Sequence, residues 1–188
     1  RLLETVHRKF ESQDIANLII LSVLGMDIPL IVASNLIHLT KSHSNINNNE
    51  LQKIFLTYRN FDIVEPSLQF EGYRFKNELI RDSFHRQFYD GQAVVIPREL
   101  DISLDRIREE IIEIYRNNPV FDPIRDKLEI AHHISKLSLE KQKRYVDELI
   151  EAVDAGKVQD MFGSGTAAVV APISHFHYKG TTYELPEV

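Results

Sequence analysis

From Ser12 to Val153 the apolar residues of this chain recur at the three-and-four spacing of helices. That spacing breaks between Phe61 and Phe75 and again near Ala93 to Ile96, and gives way to alternation after Gly156. Two periods in one chain of 188 residues limit what it can fold into. Helix is expected to dominate before residue 155 and strand after residue 160, an α+β class fold with a helix-rich N-terminal part, a winged hairpin and a short strand-rich C-terminal part.

The punctuation fits this division. Ser12 stands as the N-cap of a helix through Leu24, with Ile15, Leu18, Ile19 and Leu21 apolar and Gly25 at the left-handed position that ends a helix. Pro29 suits the first turn of a second helix, where the missing N–H leaves nothing unpaired. The polar loop Lys41 to Asn49 ends in asparagines able to cap a third, carrying Leu51, Ile54, Phe55 and Tyr58. Leu68 and Phe70 then alternate with polar residues, Glu71-Gly72 makes a turn, and Tyr73 and Phe75 alternate again, which describes a hairpin. Asn77 caps a helix with Leu79, Ile80, Phe84 and Phe88.

Further on, Ala93 to Ile96 has the composition of a short strand. Ser103 caps a helix with Leu104, Ile107, Ile111 and Ile114, ending near Asn117-Asn118-Pro119, and a turn follows at Asp122-Pro123. A long helix runs from Ser138 to a stop at Gly156. Beyond it the pattern predicts a strand from Ala167 to Ala171 and a hairpin about Lys179-Gly180. The expected division is a helical, winged-helix-like unit at 1–90, a helical connector at 91–145 and a phosphate-loop segment at 146–188.

Composition narrows function. A formal net charge of −6 opposes non-specific nucleic-acid binding, which requires clustered positive charge to displace counterions. The absence of cysteine removes disulfides and thiolate metal sites and fits a reducing compartment, the cytoplasm or the mitochondrial matrix. The stretch from Ile15 to Leu39 is too often interrupted by polar residues to supply the roughly 18 apolar residues of a membrane span. The chain starts at Arg1, as expected of a fragment or of a chain whose leader has been removed.

The chemistry-bearing motif is Met161-Phe162-Gly163-Ser164-Gly165-Thr166-Ala167. Phosphate needs several converging N–H and O–H donors, and glycine lets the backbone approach without Cβ interference. Ser164 and Thr166 add hydroxyls to those donors. A bare Gly-Ser-Gly-Thr also describes an ordinary flexible turn, so its neighbours matter.

Those neighbours carry a resemblance. Val146-Asp147-Glu148-Leu149-Ile150-Glu151-Ala152-Val153, Gly156-Lys157-Val158, the glycine motif, Pro172-Ile173, Tyr178-Lys179-Gly180 and Leu185-Pro186 together resemble the C-terminal portion of branched-chain amino-acid aminotransferases, fold-type IV pyridoxal-phosphate enzymes. The resemblance implies pyridoxal phosphate as cofactor, held through Gly163, Ser164, Gly165 and Thr166, with the Ala167 N–H near the substrate carboxylate. It also implies an amino-acid substrate and a homodimer or larger assembly as the partner. Where some members have a Cys-x-x-Cys pair after the turn, this chain has Ala168 and Ala171.

The catalytic residues remain unknown. Transamination needs a Schiff-base lysine and an acid for the pyridinium nitrogen. Lys127, Lys136, Lys141 and Lys143 lack the flanking residues of that lysine and read as solvated helix charges. The expected protein is therefore a partial or degenerate transaminase.

A second resemblance lies in the N-terminal half. Leu24-Gly25, Glu50-Leu51, Ile63-Val64 and Tyr73-Arg74-Phe75-Lys76-Asn77-Glu78-Leu79-Ile80-Arg81-Asp82 resemble the winged-helix segments that follow the ATPase core in signalling NTPases and soluble adenylyl-cyclase-type proteins. No Gly-Lys-Thr phosphate loop is present, so this implies a non-catalytic interaction module. Both resemblances together would make the chain a mosaic.

Other constellations read as structural. His175 and His177 share a strand face and His132-His133 lies on a helix, but no thiolate or carboxylate completes zinc spacing, and no metal site is assigned. Asp82 and His85 read as a surface pair. Arg8, Lys9, Arg74, Lys76, Arg81 and Arg86 read as solvated charge that can also form a local basic face.

Overall fold

The structure is a computed structural model, and it describes residues 9–40, 47–88, 102–158, 162–164 and 170–185. The fold is α+β, in two compact units, Arg1–Leu137 and Ser138–Val188.

The first unit begins with helix α1, Ser12–Leu21, tightening into a 3-10 turn at Ser22–Leu24. Ser12 is its first helical residue rather than its cap. Glu11, with extended backbone and no side-chain cap bond, holds the cap position. The Ser22 hydroxyl donates to the Ile19 carbonyl at 2.6 Å, the local back-bond that competes with regular α-helix. Gly25 ends the turn at φ 94°.

Pro29 also departs from expectation. It closes strand β1, Asp27–Pro29, and caps helix α2, Leu30–Ile37, without entering it. Helix α3, Asn48–Asn60, opens with a reciprocal box: the Asn47 side chain accepts from the Glu50 N–H, and the Glu50 carboxylate accepts from the Asn47 N–H. Two orphan donors are satisfied at once.

Strands β2, Val64–Pro66, and β3, Gly72–Phe75, form the expected hairpin, joined by β1 into an antiparallel sheet of order β1-β3-β2. The strand positions differ from the alternation. Leu68 is fully exposed in the connection, where Phe70 packs edge-on against Phe121 at 5.1 Å between centroids. Gly72 is a paired residue of β3 rather than a turn residue. An ideal Cβ there would lie 2.3 Å from the Ile28 carbonyl oxygen, so the close approach of β3 to β1 depends on glycine.

Helix α4, Glu78–His85, is capped by Asn77, and helix α5, Leu104–Asn117, by Ser103, as expected. Helix α6, Pro123–Ser135, is capped by the Asp122 side chain, with proline in its first turn. Leu18, Leu21, Ile28, Val32, Leu36, Phe55, Tyr58, Val64, Phe75, Phe84, Ile107 and Ile111 meet in one core, each contributing about 1.5–3 kcal/mol by burial. The strand expected at Ala93 to Ile96 lies outside the described residues.

The second unit carries helix α7, Leu139–Asp154, then β4, Phe162–Ser164, β5, Val170–Pro172, β6, His175–Tyr178, and β7, Thr181–Glu184. Gly156 follows α7 at φ 66°, the left-handed stop read from sequence. Lys179 and Gly180 both have positive φ, 49° and 83°, as a tight turn between right-twisted strands requires. The strand expected from Ala167 is β5, which starts at Val170 among the described residues.

Candidate functional site

The glycine motif sits on a hairpin. Phe162 pairs with Pro172, Gly163 with Ala171 and Ser164 with Val170, so the ladder fixes both ends of the connection at 165–169. Gly163 and Ser164 are consequently strand residues at the mouth of that connection. Gly165, Thr166 and Ala167 lie outside the described residues.

Nearby in sequence, the second hairpin is tied to α7. The Tyr178 hydroxyl and the Lys179 ammonium both donate to Asp147 Oδ1, at 3.1 and 3.3 Å. Hydrogen bonds to Tyr178 and Asp147 raise the Lys179 ammonium above its ordinary pKa. His175 lies beside Ser174 and His177 beside Thr182, at 3.0 Å each. Both histidines are exposed, and no group of three or more potential ligands is arranged to hold a metal ion among the described residues.

The four lysines divide between the two units. Lys127 and Lys136 belong to the first unit, and Lys141 and Lys143 lie in the second, on α7. Lys127, Lys136 and Lys143 are exposed. The basic residues of the first unit are partly neutralised. Lys76 pairs with Asp62 at 2.6 Å, Arg81 pairs with Asp82 at 2.9 Å, and Lys9 lies over the Phe61 ring. Arg8 lies outside the described residues.

A different cluster escaped the reading of the sequence. Arg108 and His133 are buried, at 4% and 1% exposure, and an Arg108 terminal N–H lies 3.2 Å from His133 Nδ1. A guanidinium can only donate, so Nδ1 accepts and the ring proton sits on Nε2. Burial, then the charge of Arg108, pushes the His133 pKa down to about 3. Burial and nearby cations also lower His85 and His132, with Arg108 acting on both, Arg81 on His85 and Lys136 on His132. A signal was present: Arg108 stands one residue after Ile107 and three before Ile111, on the apolar side of α5.

No helix among the described residues is long and apolar enough to cross a membrane. No protein-family model and no solved structure matches the chain. Curated proteins do match in part. The cytosolic branched-chain-amino-acid aminotransferase of Ovis aries is 39% identical over 59 residues, covering 31% of this chain and 15% of that protein. The mitochondrial branched-chain-amino-acid aminotransferase of Schizosaccharomyces pombe is 43% identical over 44 residues, 23% of this chain and 10% of that protein. A probable branched-chain-amino-acid aminotransferase of Staphylococcus aureus is 36% identical over 52 residues, covering 28% and 14%. The chain thus spans about 15% or less of the length of these relatives.

Proposed function

We propose that this chain is a branched-chain-aminotransferase-related protein that binds the phosphate of pyridoxal phosphate through Gly163, Ser164, Gly165 and Thr166. The observation that carries the reading is local identity of 34–43% to such aminotransferases from animals, fungi and bacteria. The β4–β5 ladder supports it, because it closes a connection containing a glycine and a hydroxyl residue.

Two hydroxyls and backbone N–H groups are the kinds of donor that a phosphate requires. Ser164 and Thr166 would hold the ester oxygens, and the Ala167 N–H would orient a substrate carboxylate. When bound, pyridoxal phosphate supplies an electron sink for carbanion chemistry. No lysine of this chain is assigned to the aldehyde and no acid to the ring nitrogen, so phosphate capture is the function proposed, in a partial or degenerate transaminase. The cytoplasm or mitochondrial matrix and a homodimer are the matching location and assembly.

Titration with pyridoxal phosphate tests this. Saturable change in its near-ultraviolet absorbance, weakened by competing inorganic phosphate, is expected. Unchanged absorbance together with no protection against heat would sink the reading.

One observation favours a second reading, in which the first unit is a winged-helix interaction module of a signalling NTPase or cyclase-type assembly. Its elements run helix, strand, helix, helix, strand, strand, with β3 central in the sheet. Retention of the full chain by an immobilised ATPase core of that class would support the module, and elution with an unrelated control would remove it.

A further inference from the structure

Arg108 is a buried cation with no carboxylate partner among the described residues. Its contact is the His133 ring, held neutral. Its Nε and the Nε2 of His133 are buried donors without a hydrogen-bond partner among the described residues. The Nε of Arg81 is a third. The charges of Arg81 and Arg108 both lower the His85 pKa, after burial. Asp82, adjacent to Arg81 in sequence, is engaged by Arg81 at 2.9 Å.

The orphaned nitrogens of Arg108 and His133 are donors, one on a cationic and one on a neutral side chain. An unmatched guanidinium left dry costs several kcal/mol, and an added histidine proton would raise that cost. An apolar filler leaves the donors unmatched, and a metal cation is repelled. An oxyanion supplies acceptors and negative charge together. Arginine in particular presents its Nε–H and a terminal N–H in the fork that matches two oxygens of one phosphoryl group.

We propose that the Arg108–His133 pair, where α5 and α6 contribute side chains, is a binding site for a phosphate-type oxyanion. The source can be free phosphate or the phosphoryl end of a nucleotide. The site belongs to the first unit and is independent of the glycine connection in the second.

The test follows the two orphaned donors in the full chain. Inorganic phosphate, and separately adenosine diphosphate, is titrated at constant ionic strength while the Nε–H resonance of Arg108 and the ring resonances of His133 are recorded. Saturable shifts of both with either probe are expected, and the probe that acts identifies the source. Arg108→Met should abolish the His133 response, and Arg108→Lys, which keeps charge but loses the Nε donor, should weaken binding at least about tenfold. Because Arg108→Met removes an unmatched buried charge, its retained fold is checked by the dispersion of the remaining resonances. If it fails to fold, Arg108→Lys carries the comparison.

The same titration is run on Ser164→Ala/Thr166→Ala, which disables only the proposed cofactor turn. An unchanged Arg108 response there is expected. Absence of any shift at Arg108 and His133, or a response that disappears in the Ser164→Ala/Thr166→Ala protein, would overturn the site.

Discussion

Arg125 on α6 donates to Asp27 Oδ2 on β1 at 2.7 Å, joining residues ninety-eight positions apart in the chain. The same guanidinium lies 3.6 Å from the Phe121 ring centroid and 5.8 Å from that of Phe70. One side chain thus ties a helix, an edge strand and the hairpin connection together. Its partners Asp27 and Glu129 line a cleft of about 390 Å³ together with Gly25 and His132.

Arg125→Ala is expected to cost about 1–3 kcal/mol. A partly exposed ion pair contributes up to about 1 kcal/mol, and the cation–ring contacts about 0.5–2 more. Urea unfolding followed by far-ultraviolet dichroism measures it. Arg125→Lys should recover less than half, since lysine keeps the charge without the flat stacking surface.

Gly72→Ala is expected to be more damaging than Gly25→Ala. The added methyl at position 72 meets the Ile28 backbone oxygen at 2.3 Å and the Phe70 ring at 2.9 Å, and backbone cannot step aside cheaply. A loss of about 2 kcal/mol or more is expected from such overpacking. At Gly25 the methyl enters open space and only the positive φ is penalised, at about 1–2 kcal/mol. Paired melting curves give the order, and equal losses would contradict it.

Acid should destabilise the first unit before carboxylates titrate. The His133 pKa falls from an ordinary 6.5 to about 3 on folding. Between those values the unfolded chain binds a proton that the folded chain refuses, so stability is present above 6.5 and is lost as pH falls toward 3. The slope approaches about 1.4 kcal/mol per pH unit from this ring alone, and His85 and His132, also lowered, add in the same direction. His133→Gln should flatten the dependence between pH 6.5 and 4.5 in denaturant titrations.

Ser164→Ala and Thr166→Ala should each weaken pyridoxal phosphate binding about tenfold, the equivalent of one charge-assisted hydrogen bond. Isothermal titration with the phosphate ester and with unphosphorylated pyridoxal separates phosphate contacts from ring contacts. Equal losses for both ligands would place the hydroxyls away from the phosphate.

Signals confined to a few neighbouring residues were legible in the sequence. Asn47, Asn77 and Ser103 cap the helices they precede, Gly156 ends α7, and Lys179-Gly180 makes its turn, because each effect spans at most four residues. Strand β1 was not legible. Asp27–Pro29 has three residues and a proline, and it is a strand only through β3, paired with Gly72, Tyr73 and Arg74 far along the chain. Leu68 misled for the same reason, since alternation places a strand only if a partner sits opposite. In the candidate site the donor types were readable, whereas the lysine and acid a transaminase requires depend on tertiary placement. Arg108 was hidden by its charge, which ordinarily marks a solvated face and here marks the interior.

The dependence of β1 on β3 orders events during synthesis. A nascent chain that has released α1 and α2 but not residues 72–75 leaves Asp27–Pro29 without its hydrogen-bonding partner, so the sheet cannot close until the hairpin emerges. Termination or cleavage between Asn60 and Gly72 therefore removes β3 and leaves Asp27–Pro29 with its backbone groups unpaired, open to pairing with another chain.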